Sequence, residues 1–371
     1  MGGLERITFE LASGLAEWSA RESDAETLDV TVVTRTAGNL SEDGKLPFRV
    51  VRRPGLYELV TLVRENQLLH LAGPAILPLA FGLLMGKSVA IEHHGFQTIC
   101  PNGQFFHVPT RRLCKGHYMA GHYTECFECN LSEVGPGRSA KMLLLTPFRR
   151  WLAKRAGANI TPTAWLATVL KLPRVRTVYH GISLTCDNNT ANTVCPTFAF
   201  QGRLVSTKGA GILLEAAKQL RAEGAAFLLK IIGDGPERRR LEAQAEPLGP
   251  IVQFLGHLPD ESLARALSDV SAVVVPSLAG EVFGLVVAEN MLRGKVLIVS
   301  NISPLKELVG DTGLITLAGN AEDLASCMRR VIEDPSLIPS LGSAAQERAT
   351  HLFGRRGMIQ SHLAVYQGIM Q

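Results

Sequence analysis

The stretch TFAFQGRLVSTKGAGILLEAAKQL, residues 197–220, decides the architecture. Thr197–Gln201 is a short apolar run of strand length, and a helix starts near Gly209, where apolar residues begin to recur at helical spacing. The loop between them carries two cations five residues apart, Arg203 and Lys208. A strand that feeds a helix through a short loop is the beginning of a βαβ unit, which pairs its strands in parallel.

The same alternation runs outward in both directions. In the first half the strand-like runs are Leu28–Thr34, Phe48–Arg52, Gln67–Leu71, Ser88–Glu92, Ala158–Thr161 and Val175–Tyr179. In the second half Phe227–Ile232, Val252–Leu255, Ala272–Pro276, Val296–Ser300 and Leu314–Thr316 follow Thr197–Gln201. Continuous apolar strands separated by amphipathic helices imply α/β architecture, with parallel sheets covered on both faces. Ser183–Pro196 is polar and turn-rich, and it reads as a linker at about 186–196. Two doubly wound domains are therefore expected, at 1–185 and 197–352, with a C-terminal helix over 353–371 that packs back toward the first. Leu4, Ile7, Leu11, Leu15 and Trp18 predict an opening helix after Gly2-Gly3, with no strand before it. The first domain is thus expected to lack its first strand.

A length of 371 residues also suits two domains, and 46% hydrophobic with 19% charged residues argues against disorder. A net charge of +4 is too small for a dedicated nucleic-acid binder, and 6% aromatics disfavours base-stacking platforms. An anionic small ligand or a lipid surface fits this balance better. Leu68 to Met85 is the most apolar stretch, but His70, Gly73, Pro74, Pro78 and Gly82 interrupt it, so a buried strand followed by a buried helix is expected. The start lacks the pattern of a signal peptide, and seven cysteines, an odd number, suit a reducing cytoplasm.

The chemistry concentrates in the second half. Arg203 and Lys208, on a strand-to-helix loop, suit a diphosphate: two point charges beside helix N-terminal amides. The segment Pro276-Ser277-Leu278-Ala279-Gly280-Glu281-Val282-Phe283-Gly284-Leu285 repeats the strand–loop–helix pattern. Glu281 lies in that loop and Glu289 about two turns further along. A carboxylate is a good bidentate acceptor for vicinal hydroxyls on a sugar or ribose. Amides at Phe283 to Leu285 are placed to meet the same anion. Gly233-Asp234-Gly235 is only superficially a dinucleotide fingerprint, since Arg238 stands where a third glycine is needed.

These residues carry a resemblance. Gly2-Gly3-Leu4-Glu5-Arg6, the Gly202-Arg203 to Lys208-Gly209 loop, Gly233-Asp234-Gly235-Pro236, Phe254-Leu255-Gly256, Pro276-Ser277 and the Glu281 to Glu289 pair occur in the order of glycosyltransferase family 4. The chain resembles the retaining GT-B enzymes of that family, which carry an E-x7-E motif. The resemblance implies two Rossmann-like domains facing each other across a cleft. It implies that Arg203 and Lys208 neutralise the leaving diphosphate, that Glu281 holds donor-sugar hydroxyls with the Phe283 and Gly284 amides, and that Glu289 binds the ribose. It places Gly2, Gly3, Gly202 and Leu285 around the donor, and His94 against the donor sugar, with His93 as the competing histidine.

The implied reaction moves a sugar from a UDP- or GDP-sugar to a saccharide or lipid-linked acceptor, with retention at the anomeric carbon. No cofactor or divalent cation is expected in the chemistry. The setting implied is bacterial polysaccharide or glycolipid assembly at the inner face of the cytoplasmic membrane. Two other readings remain: an epimerase or hydrolase acting on nucleotide sugars with the same fold, and a catalytically impaired sugar-binding subunit. The second draws on Asn301-Ile302-Ser303-Pro304, where relatives often carry a Gly-Gly pair.

Two features stand outside this scheme. Cys100, Cys114, Cys126 and Cys129 fall in a Cys/His-rich insertion at about 98–135, and the C-x2-C spacing of the last two suits one edge of a structural zinc site. Reduced, buried cysteines are the alternative. Residues 142–155 join Met142-Leu143-Leu144-Leu145 to Thr146-Pro147-Phe148-Arg149-Arg150-Trp151, read as a helix capped at Thr146. Its basic residues and Trp151 suit peripheral contact with an anionic membrane, against the plainer reading of a domain helix with a solvated face.

Overall fold

The computed structural model describes residues 3–21, 28–38, 43–183 and 195–371. Along the chain run α1 (Gly3–Arg21), β1 (Thr31–Thr34), β2 (Arg49–Arg52), α2 (Leu56–Glu65), β3 (Leu68–Ala72), α3 (Ile76–Leu84) and β4 (Ser88–Glu92). A hairpin of β5 (Phe106–His107) and β6 (Arg112–Leu113) precedes α4 (Tyr123–Val134), α5 (Pro136–Ala153), β7 (Ala158–Thr161), α6 (Ala164–Leu170) and β8 (Val175–Thr177). After the interdomain stretch come β9 (Thr197–Gln201), α7 (Ala210–Ala222), β10 (Leu228–Ile232), α8 (Arg238–Ala245), β11 (Val252–Gly256), α9 (Asp260–Leu267) and β12 (Ala272–Val275). The chain then continues through α10 (Leu285–Leu292), β13 (Val296–Ser300), α11 (Ser303–Val309), β14 (Leu314–Thr316), α12 (Ala321–Glu333), α13 (Leu337–Leu352) and α14 (Arg355–Met370).

The chain divides into two units, one of residues 1–103, 116–183 and 352–371, the other of 104–115 and 184–351. Most of the stretch read as a linker, 184–194, lies outside the described residues.

In the second unit six strands pair in parallel in the order β11-β10-β9-β12-β13-β14. Counted from β9, this is the doubly wound order 3-2-1-4-5-6, in which the winding direction reverses between the first and fourth strands. Every residue of β12 and β13 is buried, as expected for central strands with helices on both faces. Phe198 and Phe200 of β9 pack with Leu213, Leu214 and Leu220 of α7 and Met328 of α12 in one core.

The first unit has a four-stranded parallel sheet, β3-β4-β7-β8, and a separate parallel pair, β1-β2. Leu11 and Leu15 of α1 and Met358, Ile359 and Tyr366 of α14 pack over Ala90, Ala158 and Ile160 of that sheet. Arg355 ties the two helices together, its guanidinium donating twice to Glu17 at 2.8 and 3.0 Å.

The helix near Thr146 departs from its sequence reading. It starts ten residues earlier, at Pro136, after Gly135 ends α4 with a positive φ of 76°. Thr146 sits mid-helix and donates its hydroxyl to the Met142 carbonyl at 2.9 Å. Pro147 is accommodated inside the helix. Glycine at the junction and proline at the first helical position outweigh the Thr-Pro signal.

Candidate functional site

In a doubly wound sheet a ligand meets the chain beyond the carboxyl ends of the strands where the winding reverses. Here that place is bounded by the loops after β9 and β12, and the two loops lock together. Gly209 takes a left-handed backbone (φ 72°), and a Cβ there would collide with the Pro276 carbonyl oxygen. Leu278 N–H donates to the Thr207 carbonyl at 2.8 Å. This close approach requires glycine, for steric and conformational reasons together.

The result is a charged constellation. Lys208, at the end of a turn of 3-10 helix spanning Ser206–Lys208, places Nζ 2.5 Å from Glu281 Oε1. Ser277 donates its hydroxyl to the same oxygen at 2.9 Å. Both charged side chains are largely shielded, at 25% and 11% exposure, so the pair acts in a medium less polarisable than bulk water. Arg203 is exposed and forms no ion pair with the described residues.

Helix α10 supplies the next layer. Gly284 caps it with a φ of 112°, a backbone conformation that favours glycine, and a Cβ there would also press on Leu305 Cδ2. The N–H groups of the first turn, at Leu285 and Val286, have no acceptor within the helix, and the helix dipole adds positive potential there. Phe283 is buried, so only its main chain is available to a ligand. Glu289, in the second turn, is 5% exposed and accepts from Gln201 Nε2 at 3.3 Å. Gln201 in turn accepts from Asn290 Nδ2 at 2.8 Å. The sequence-predicted Lys208 and Glu281 are thus in contact, whereas Glu289 is anchored by a neighbouring network.

Gly3 is the first residue of α1, and Gly2 lies outside the described residues. His94 follows β4 in the first unit, and its surroundings were not legible in the sequence. Glu92, the last residue of β4, is 1% exposed and faces four histidines. His70 Nε2, His94 Nε2 and His362 Nε2 lie 3.1, 3.6 and 3.8 Å from Oε2, and His180 Nδ1 lies 3.3 Å from Oε1. His94 is half-buried and stacks on His180 with ring centres 5.3 Å apart. Burial pushes the Glu92 carboxyl upward, but the charge of His94 and the contacts of His180, His362 and His70 outweigh it, holding it well below the usual range. Burial pushes His70 and His180 down, with Glu92 opposing in both.

His93 is a different kind of residue. Asn159 donates both amide hydrogens to the carbonyls of Ala153 and Pro173, so its Oδ1 must accept from His93 Nε2–H at 2.9 Å. Burial pushes His93 down to about 4, so it is neutral and packed. Of the two adjacent histidines, His94 is the one with exposed surface and an acidic neighbour.

Cys126 and Cys129 are buried on α4, the Cys100 thiol donates to Asn102 Oδ1 at 3.0 Å, and Cys114 belongs to the hairpin segment of the other unit. Asn102 links two of the four cysteines, since its amide also donates to Cys129 Sγ at 3.8 Å. Among the described residues, the groups that bring three metal-ligating atoms within 4.8 Å are His70–Glu92–His362 and Glu92–His94–His180.

Gln201, Ser277, Glu92, His70, His180 and His362 all escaped sequence reading. Ser277 and Gln201 stood inside recognised motifs without a role. Glu92 and His70 had a usable signal, because each places a polar side chain in a strand otherwise built for burial.

Comparison with known proteins bears on these geometries. Residues 187–348 match the family model described as Glycosyl transferases group 1. The chain is similar to a 2-deoxystreptamine glucosyltransferase of Streptomyces kanamyceticus, 26% identical over 250 residues, covering 61% of this chain and 64% of that protein. It is also similar to the D-rhamnosyltransferase WbpZ of Pseudomonas aeruginosa, 34% identical over 161 residues, covering 42% and 41%. It thus spans less than two thirds of either relative. Among solved structures, HepE of Anabaena in complex with UDP and glucose matches with a TM-score of 0.70 at 20% identity, over 98% of this chain and 95% of that one. Sucrose-phosphate synthase of Thermosynechococcus elongatus matches with a TM-score of 0.73 at 20% identity, over 99% and 93%. The chain therefore has the GT-B fold, and its residues 187–348 are similar to the glycosyl transferases group 1 family.

Proposed function

We propose that the chain is a retaining glycosyltransferase of family 4, transferring a sugar from a nucleotide-diphosphate sugar to a saccharide or lipid-linked acceptor. The observation that carries this reading is the contact of Lys208 with Glu281 where the winding of the second sheet reverses. A cation for phosphate and a carboxylate for sugar hydroxyls stand side by side, before the start of a helix whose first-turn amides can receive an anion. The match of residues 187–348 to a glycosyltransferase family model supports it, as does the likeness to a structure holding UDP and glucose.

In this reading Lys208 and Arg203 neutralise the diphosphate, Glu281 orients the donor sugar, Phe283 to Leu285 offer main-chain amides, and Glu289 binds the ribose. The bond between the anomeric carbon and the diphosphate oxygen breaks. The acceptor oxygen attacks the same face, and its proton passes to the departing diphosphate. Catalysis then rests on charge stabilisation by groups already in place. His94 is assigned to the donor sugar on the family resemblance.

The reading extends to the membrane. Leu144, Phe148 and Trp151 of α5 are exposed beside Arg149, Arg150 and Arg155, and the Arg155 guanidinium lies 3.7 Å over the Trp151 ring. Exposed apolar groups on α5, with half-buried Arg149 beside them and exposed Arg155 just past the helix end, suit peripheral docking at the anionic inner face of the cytoplasmic membrane. No described helix is long and apolar enough to cross a membrane.

A screen of UDP- and GDP-sugars by thermal shift, followed by NMR of the product's anomeric configuration, tests the proposal. A donor at 100 times its Kd stabilises by about 2.7 kcal/mol. A flat response to every donor, or an inverted product, would overturn it.

A further inference from the structure

We infer that His70, Glu92 and His362 form a buried binding site for one divalent transition-metal ion, zinc above all, that fastens α14 to the strands β3 and β4. Three segments far apart in sequence meet there. His70 is on β3, Glu92 ends β4, and His362 is in the middle of α14. His362 and Glu92 are shielded almost completely, at 1% and 2% side-chain exposure, and His70 is at 19%.

The argument begins with the outer nitrogens. His362 Nδ1 lies 2.9 Å from the Met358 carbonyl, which can only accept, so Nδ1 carries a hydrogen. His362 Nε2 therefore points toward Glu92 Oε2, 3.8 Å away, with no hydrogen-bond partner. That distance is too long for an N–H···O hydrogen bond, even from an imidazolium. In the neutral ring Nε2 bears a lone pair, which faces a carboxylate oxygen inside the protein, where an unsatisfied polar atom is costly. Glu92 Oε1 is likewise buried without a hydrogen-bond partner.

His70 repeats the arrangement on the other side. Its Nδ1 is 2.8 Å from the Tyr366 hydroxyl, and its Nε2 is 3.1 Å from Glu92 Oε2. A histidine whose outer nitrogen is fixed by a carbonyl or hydroxyl and whose inner nitrogen faces a carboxylate has the usual environment of a metal ligand. The spacing agrees as well. Bonds of 2.0–2.1 Å in tetrahedral geometry put ligand atoms about 3.3 Å apart, and the two observed separations from Oε2 lie on either side of that. Two imidazoles and one carboxylate are a zinc donor set, and imidazole favours zinc over calcium or magnesium. A fourth position is left for a solvent oxygen.

The test uses the full chain, stripped with chelator and dialysed, then titrated with Zn2+ alone and in parallel with Co2+. One equivalent of Zn2+ should bind, and the chelator-treated protein should melt at a lower temperature than the loaded one. Co2+ should give the weak visible bands of a nitrogen–oxygen site, without the intense near-ultraviolet thiolate band that binding at Cys126 and Cys129 would give. H362Q and H70A, checked for folding by circular dichroism, should each weaken Zn2+ binding more than about 10-fold, while a C126A/C129A double variant should not. Failure of the wild-type chain to bind, a thiolate band, or undiminished affinity in folded H362Q would overturn the inference. The wild-type titration decides even if both histidine variants fail to fold.

Discussion

The ammonium of Lys208 lies 2.5 Å from the carboxylate of Glu281, seventy-three residues away in the sequence. The pair sits between loops that the backbone itself holds together, so Lys208 is not a solvated cation that happens to find a partner. In the proposed reaction it stabilises the departing diphosphate, and removing such a preorganised charge costs about 100- to 1,000-fold in rate. Lys208→Ala and Arg203→Ala should therefore fold with nearly unchanged melting temperatures and lose turnover by that factor. Product formation with a responsive donor checks this, and near-normal rates in both would sink the assignment.

Glu289 is held by Gln201 in a buried network, which in the proposed reading preorganises its carboxylate for a ribose. A hydrogen bond to a charged group contributes about 1.5–3 kcal/mol. Glu289→Ala should raise the donor KM by about 10-fold or more, with a smaller change in kcat. Gln201→Ala should do the same more weakly, because it frees the carboxylate without deleting it. An unchanged KM in Glu289→Ala would remove the ribose role.

Gly209→Ala should destabilise by about 2 kcal/mol or more, since it forces a left-handed backbone and a collision with the Pro276 carbonyl. Gly224→Ala is the control. Its φ is also positive, at 82°, but a Cβ there meets nothing within 4 Å. It should cost about 1 kcal/mol, the backbone contribution alone. Urea unfolding of the two variants separates collision from conformation.

Phe148→Ser with Trp151→Ser should reduce pelleting with vesicles containing anionic lipid while leaving donor-induced thermal shifts intact. Both side chains are about half exposed, so the fold should tolerate the change. Binding that ignores anionic lipid content would count against the electrostatic part of that reading.

The alternation of apolar runs and helices predicted the strands well, because buried parallel strands are continuous in sequence. Ser88–Glu92, Ala158–Thr161, Thr197–Gln201, Val296–Ser300 and Leu314–Thr316 form strands with those bounds. The short hairpin at Phe106–His107 and Arg112–Leu113 left no such signature, since two-residue strands have no period. Lys208 and Glu281 were legible because each lies in a motif with local order. The histidines around Glu92 were not, because His70, His180 and His362 come from three distant segments. Only the fold shows that they converge.

Helix α14 also bears on the order in which the molecule is made. Met358, Ile359, His362 and Tyr366 are buried in the first unit, yet the ribosome adds them after every residue of the second. Until they are added, Leu11, Leu15 and the sheet around Ala90 lack part of their cover. The first unit is therefore discontinuous in sequence, and its core cannot be completed before residues 352–371 are made.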